Sequence, residues 1–283
     1  MQLITTKKAL FEVVANAKST GKTIGFVPTM GALHNGHLTL VKRCVSENDL
    51  CFVSVFVNPT QFNDKNDLAN YPRTLEADAE LLASVGCQFV FAPNADEMYD
   101  AEEMQKPFEF DFGGLDEVME GRFRPGHFNG VVQVVSKLFQ LVQPTRAYFG
   151  EKDFQQLAII RKLVKNLKIN INIHGVPTYR EDSGLAMSSR NERLSSEQKK
   201  AAVIIHQTLV KVNDWFRIIT IPEIYARVNE IFEKQPGMVM EYFKIADEET
   251  LKETDFFYKD RQYRAFIVVF VGEVRLIDNM HLD

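Results

Sequence analysis

The chain has 283 residues, 45% hydrophobic and 25% charged, as in an ordinary globular protein long enough for one large or two medium domains. Its net charge of −5 argues against nucleic acid or an anionic membrane as the main partner. Cys44, Cys51 and Cys87 form no CxxC or Cys/His ligand pattern and read as buried free thiols, and no apolar run nears the roughly 20 residues that span a bilayer.

The opening residues, Met1 to Lys8, lack the apolar core of a signal peptide, so a reduced, cytoplasmic protein is expected. Leu10, Val13, Val14 and Ala17 recur at helical spacing over Thr6 to Lys18, and Gly21 ends that helix. A buried parallel strand over 22–27 then leads into Pro28-Thr29-Met30-Gly31-Ala32-Leu33-His34-Asn35-Gly36-His37, and a helix follows from Leu38. Gly31 and Gly36 allow backbone close to a ligand, and the helix N-terminus favours phosphate. His34 and His37, three residues apart, can share one face and donate hydrogen bonds to phosphate oxygens. The bland alternative is a pair of surface histidines beside a structural turn. The spacing His-Asn-Gly-His at a strand–helix junction resembles the HxGH motif of the nucleotidyltransferase superfamily, which transfers the AMP part of ATP.

A second buried strand is predicted over 49–57, ending in Asn58-Pro59-Thr60-Gln61-Phe62 at the ligand edge of the sheet. The polar run at 63–70 reads as a loop, either a flap over the site or a solvated connection. Thr74 is placed as the cap of a helix to Ala83, and a strand runs over 87–92. The β-α-β-α-β pattern predicts an α/β fold: a Rossmann-like parallel sheet with helices on both faces. A short strand is expected over Phe108 to Phe112, a helix over 131–141, a strand at Arg146 to Phe149, a helix from Phe154 to Leu167 and a strand over 169–176. The turn Gly150-Glu151-Lys152-Asp153 again brings polar groups to the sheet's ligand edge.

After the polar loop Arg180 to Asn191 the character changes. Capping-box signatures at Ser195 and Thr220 open two helices, and strands over 239–245, 264–271 and 273–277 follow, the last two joined at Gly272. The expected division is residues 1–186 as the Rossmann-like, nucleotide-binding domain and 187–283 as a smaller α+β domain closing over the site. No P-loop, GxGxxG, HExxH or GxSxG pattern occurs. The two histidines have spacing that a metal can use, though without the carboxylates typical of zinc.

Several segments together resemble the pantothenate synthetases. They are the HxGH stretch, Phe56 to Phe62, Tyr71-Pro72-Arg73-Thr74, Arg124-Pro125-Gly126-His127-Phe128, Phe149 to Gln156, and Gly184 to Asn191, in order along the chain. The resemblance implies ATP-dependent condensation of (R)-pantoate with β-alanine through a pantoyl adenylate, releasing AMP and pyrophosphate. It implies that His37, His34 and Lys152 are catalytic at the phosphates. ATP is expected against Met30, Gly31, Ala32, Leu33, His34, Asn35, Gly36, His37, Gly150, Glu151, Lys152, Asp153, Tyr179, Met187, Ser188, Ser189 and Arg190. Pantoate or β-alanine is expected against Gln61, Gln156, Met30 and Asn58, and Mg²⁺ at Asp153 through water. Gln155, Gln156, Ser188 and Ser189 also admit plain structural readings, as helix surface or turn caps. Phe154 and Tyr179 depart from common members of the family. The resemblance further implies a homodimer. The alternatives are another HxGH adenylyltransferase and a catalytically silent nucleotide-binding protein.

Overall fold

Six short strands lie within residues 2–176: β1 (Gln2–Ile4), β2 (Ile24–Thr29), β3 (Leu50–Val55), β4 (Phe89–Phe91), β5 (Arg146–Gly150) and β6 (Asn172–Val176). They pair in parallel in the order β1-β4-β3-β2-β5-β6. The computed structural model describes residues 1–62, 68–100, 102–103 and 108–283. Its contacts divide the chain into two units, Met1–Glu151 with Gln155–Pro177, and Lys152–Phe154 with Thr178–Asp283.

In the first unit the alternation of side chains along each strand builds two apolar layers. Val27, Cys51, Val53, Val90 and Tyr148 pack on one face against Val41 and Cys44 of helix α2 (Asn35–Glu47) and Leu82 of α3 (Leu75–Ser84). Phe26 and Phe149 point the other way. Both meet Phe139 edge-on, with centroids 6.3 and 6.4 Å from it. Phe139 lies on α6 (His127–Val142); the first helix is α1 (Lys7–Ser19), and α4 (Ala95–Met98), α5 (Met119–Phe123) and α7 (Phe154–Asn166) complete the set named here. β3 and β4 lie on one side of β2, and β5 and β6 on the other. The order therefore reverses between β2 and β5, and in open α/β sheets ligands bind outside the carboxyl ends of the strands at such a point.

The second unit is an antiparallel sheet, β7 (Met238–Asp247), β8 (Tyr263–Val271) and β9 (Val274–Leu282) in that order, with α8 (Ser196–Trp215) and α9 (Ile221–Glu233). Ile205, Leu209 and Val212 of α8 and Ile224 and Val228 of α9 share a core with Ile245, Ile267 and Val269 of the sheet. Both expected capping boxes form, Ser195 with Gln198 and Thr220 with Glu223. Gly272, at φ 59°, turns β8 into β9.

Some local expectations fail for identifiable reasons. Residues 108–112 form no strand. Their alternating aromatics pack on each other instead, Phe110 against Phe112 at 4.9 Å, and Asp111 Oδ1 accepts from the Gly113 N–H as the chain turns. Thr74 stands at the N-terminus of α3 but makes no side-chain cap bond; its hydroxyl donates to Asp78. Helix α6 begins four residues early, after Gly126 at φ 82°. Strand β1 was too short to announce itself by period. Of the loop expected over 63–70, residues 63–67 lie outside the described residues.

Helix α2 crosses β2 at Gly25, where an added Cβ would sit 2.5 Å from both Cys44 Sγ and Asn48 Nδ2. Asn48 is held there by bonds to the Cys44 carbonyl and the Tyr148 hydroxyl. Gly25→Ala is expected to cost about 1–3 kcal/mol through overpacking, read as a lower urea midpoint. An unchanged midpoint would show that α2 has room to retreat.

Candidate active site

The turn from β2 into α2 is closed by its two histidines. His34 is the N-cap, with φ −140°, and its Nδ1 accepts from the Gly36 N–H at 3.2 Å. His37 reaches back, its Nδ1 accepting from the His34 N–H at 3.3 Å. The rings lie 4.1 Å apart, tilted by 35°. This is a capping box built from imidazoles. A neutral imidazole that accepts on Nδ1 carries its proton on Nε2, so the backbone geometry assigns both rings the same tautomer. Nε2 is then the atom with which each ring donates.

The loop before the helix needs unusual backbone, with Gly31 at φ 85° and Ala32 at φ 50°. Asp78 of α3 holds it in that shape. Its carboxylate, 1% exposed, accepts from the Ala32 N–H at 3.0 Å and the Leu33 N–H at 2.8 Å. Thr29 Oγ1 accepts from the Gly31 N–H while donating to the Ser54 carbonyl. A Cβ on Gly31 would stand 3.0 Å from Asp78 Oδ2. Sequence reasoning missed Asp78, because an acidic residue in the first turn of a helix is ordinary.

After β3, Pro59–Gln61 forms a single 3-10 turn that carries Gln61, whose Nε2 faces Met30 Sδ. Asn58 is buried and engaged by the protein itself: Nδ2 donates to the Gly130 carbonyl, and Oδ1 accepts from Thr60 and the Tyr99 hydroxyl. His127 Nδ1 lies 2.9 Å from the Gln61 carbonyl, so that nitrogen carries a proton. Helix α6 meets this turn at Gly130, where a Cβ would come within 2.4 Å of the Thr60 carbonyl oxygen. Gln61 and Met30 are thus brought together, with Asn58, His127 and Gly130 fixing the turn beneath them. Gln155 is not helix surface: it is buried, accepting from the Glu120 N–H and donating to the Leu115 and Val118 carbonyls. Gln156, next to it, is half-buried.

Strand β5 ends at Gly150, and Glu151 follows; both belong to the first unit. Lys152 and Asp153 belong to the second, with Lys152 Nζ 3.7 Å from Asp153 Oδ1. In the same unit the Tyr179 carbonyl accepts from the Met187 N–H, and Ser188 caps the turn Ser189–Arg193 by accepting from the Arg190 N–H. Asn191 braces that loop, donating to Glu181 Oε1 and the Ala186 carbonyl. Among the described residues no three His, Cys, Asp or Glu side chains converge as they would around a resident metal ion. A single half-exposed carboxylate such as Asp153 fits a hydrated cation that arrives with a ligand, not a protein cage.

A parallel sheet reversing at β2 and β5, with imidazole donors at a helix mouth beyond that edge, defines a nucleotide-binding α/β protein. The model of the family described as pantoate-beta-alanine ligase matches residues 2–281. Curated relatives called pantothenate synthetase include one from Phocaeicola vulgatus, 55% identical over 99% of both chains, and one from Bacteroides thetaiotaomicron, 53% identical over 99% of this chain and 98% of that one. The solved pantothenate synthetase of Thermus thermophilus superposes with a TM-score of 0.90 at 40% identity, covering 99% of each chain. The pantoate-beta-alanine ligase of Francisella tularensis, solved with beta-gamma ATP and beta-alanine, gives 0.80 at 37% identity over 99% of this chain and 97% of that one. The chain belongs to the pantoate–beta-alanine ligase family, and it is an enzyme of that class.

Asp78→Ala removes the acceptor of two backbone N–H groups at the HxGH loop. Stability is expected to fall by about 1–3 kcal/mol per unsatisfied buried group. Turnover of ATP to AMP by the folded fraction should fall about tenfold or more, since the histidines lose their placement. Full turnover in the folded variant would release Asp78 from that role.

Proposed function

We propose how this ligase joins pantoate to β-alanine at the expense of ATP. A pantoate carboxylate oxygen attacks the α-phosphorus of ATP, forming a mixed anhydride as pyrophosphate leaves. The amine of β-alanine then attacks the activated carbonyl, an amide forms, AMP leaves, and the amine loses its proton to solvent. The observation that carries this reading is the Nδ1-capped histidine pair, which presents Nε2–H donors beside the N-terminus of α2. Charge in the first transition state spreads over phosphate oxygens, so fixed donors stabilise it without reorganising.

In this reading His34 and His37 act on the phosphates, with His37 at the reacting centre, and Lys152 adds a compact positive charge. The loop of Met30, Gly31, Ala32, Leu33, Asn35 and Gly36, the turn Gly150–Glu151, and Tyr179 and Met187 contact the nucleotide. Ser188, Ser189 and Arg190 form a second phosphate-binding loop. Gln61 and Gln156 hold pantoate with Met30 beside it, and Gln61 also serves β-alanine; Asn58 contributes at their base. Asp153 would hold a nucleotide-borne Mg²⁺ through water, and the ion would supply neutralisation of phosphate charge. Residues 1–186 bind nucleotide and pantoate, and 187–283 close over them. The three free, buried thiols suit a reducing cytoplasm. The homodimer rests on the family resemblance, and the mass of a single chain by light scattering would remove it.

The deciding assay supplies pantoate and β-alanine separately and together and follows ATP conversion to AMP. Turnover requiring pantoate is expected; AMP release indifferent to pantoate would point to a different adenylyltransferase, and no turnover to a silent protein. His37→Ala should lower kcat by about a hundredfold or more, as for loss of a transition-state donor. Gln156→Ala should instead raise KM for pantoate and leave that for ATP nearly unchanged. Near-normal kcat in the first variant, or equal KM changes in the second, would withdraw those roles.

A further inference from the structure

Lys152 sits where β9 takes hold of the chain. Asn279 of β9, 4% exposed, donates from Nδ2 to the Lys152 carbonyl at 2.8 Å. Its Oδ1 accepts from Arg264 Nη1 of β8 at 2.6 Å. The amide orientation follows from the partners, since a guanidinium only donates and a carbonyl only accepts. Arg264 is itself buried and fixed on two further sides. Its Nε donates to Glu248 Oε1 at 2.7 Å, and its guanidinium carbon lies 3.9 Å from the centroid of the Phe154 ring. The Asn279 backbone N–H donates to Asp278, whose carboxylate is paired in bidentate fashion with Arg180.

One side-chain pair therefore grips the chain on both sides of Asp153. Asn279 takes the carbonyl of Lys152, and Arg264 takes the face of Phe154 as a cation on an aromatic ring. This grip gives a physical reason why Lys152–Phe154 group with the second unit although the strand before them and the helix after them belong to the first.

We propose that Asn279 and Arg264 are positioning residues for Lys152, fixing its backbone so that its ammonium group meets the phosphates in register. This inference rests on the proposed phosphate role of Lys152. A four-carbon stem joins the charged end of Lys152 to the gripped backbone. A loosened carbonyl therefore lets the ammonium wander by an ångström or more, enough to lose about a hundredfold in rate.

Asn279→Asp separates the two halves of the grip, because the isosteric carboxylate still accepts from Arg264 but can no longer donate to Lys152. The expected result is a kcat for pantoate-dependent AMP release lowered about tenfold to a hundredfold. KM values for pantoate and β-alanine should stay within about twofold, with a lowered melting temperature because the Lys152 carbonyl loses its buried donor. In a Lys152→Met background the same substitution should add nothing, because the two act as a unit. Wild-type kcat in Asn279→Asp, or losses that multiply in the double variant, would overturn the proposal. Wild-type kcat in Lys152→Met alone would instead remove the role of Lys152, and with it the basis of the inference. Should Asn279→Asp fail to fold, Phe154→Leu tests the other half: it should lower kcat at unchanged KM, with Phe154→Tyr restoring it. A Phe154→Leu enzyme of full kcat would equally overturn the grip.

Discussion

The first turn of a helix leaves backbone N–H groups without partners, and something must accept from them. Elsewhere in this chain the task falls to Ser195 with Gln198 and to Thr220 with Glu223. At α2 it falls to His34 and His37, and that choice has a chemical consequence. A hydroxyl or carboxamide that caps a helix has finished its work. An imidazole has a second nitrogen, and accepting on Nδ1 sends the proton to Nε2. A bond worth about 1 kcal/mol to helix stability thus also decides which atom of each ring donates.

The rest of the first unit serves to keep that turn in place at the point where the sheet order reverses. β2 is buried on both faces, so its end is fixed by packing. Asp78 then shapes the loop that follows, accepting from the backbone at a non-glycine residue with positive φ. The Gln61 turn is held by the same kind of contact, side chain to backbone: Asn58 to the Gly130 carbonyl and His127 to the carbonyl of Gln61. In the second unit Asn279 does likewise for Lys152. Each proposed functional side chain of these three segments stands on backbone that a buried polar group has tied down, which is how a site keeps its geometry before a substrate arrives.

What could be read from the sequence was what is local. Strand runs, the helical period of α1, both capping boxes and the HxGH turn are all encoded within a few residues of themselves. The candidate site residues came from short contiguous segments that resemble the family's. The supports were not legible in this way. Asp78 is 45 residues from Leu33, and Asn279 is 127 from Lys152, so no window of sequence holds both partners. Gln155 passed for helix surface because its contacts, 35 to 40 residues away, have no periodic signature. The false strand at 108–112 is the converse case, where alternating Phe residues imitate a strand pattern while their rings pair with one another.

The central claim is the tautomer of the two rings, and it is measurable without substrate. Long-range ¹H–¹⁵N correlation spectra of the ¹⁵N-histidine-labelled enzyme above pH 8, assigned through His34→Asn and His37→Gln variants, distinguish a protonated ring nitrogen from an accepting one. For both His34 and His37 the capping geometry requires an accepting Nδ1 and a protonated Nε2. Either ring protonated on Nδ1 instead would contradict it.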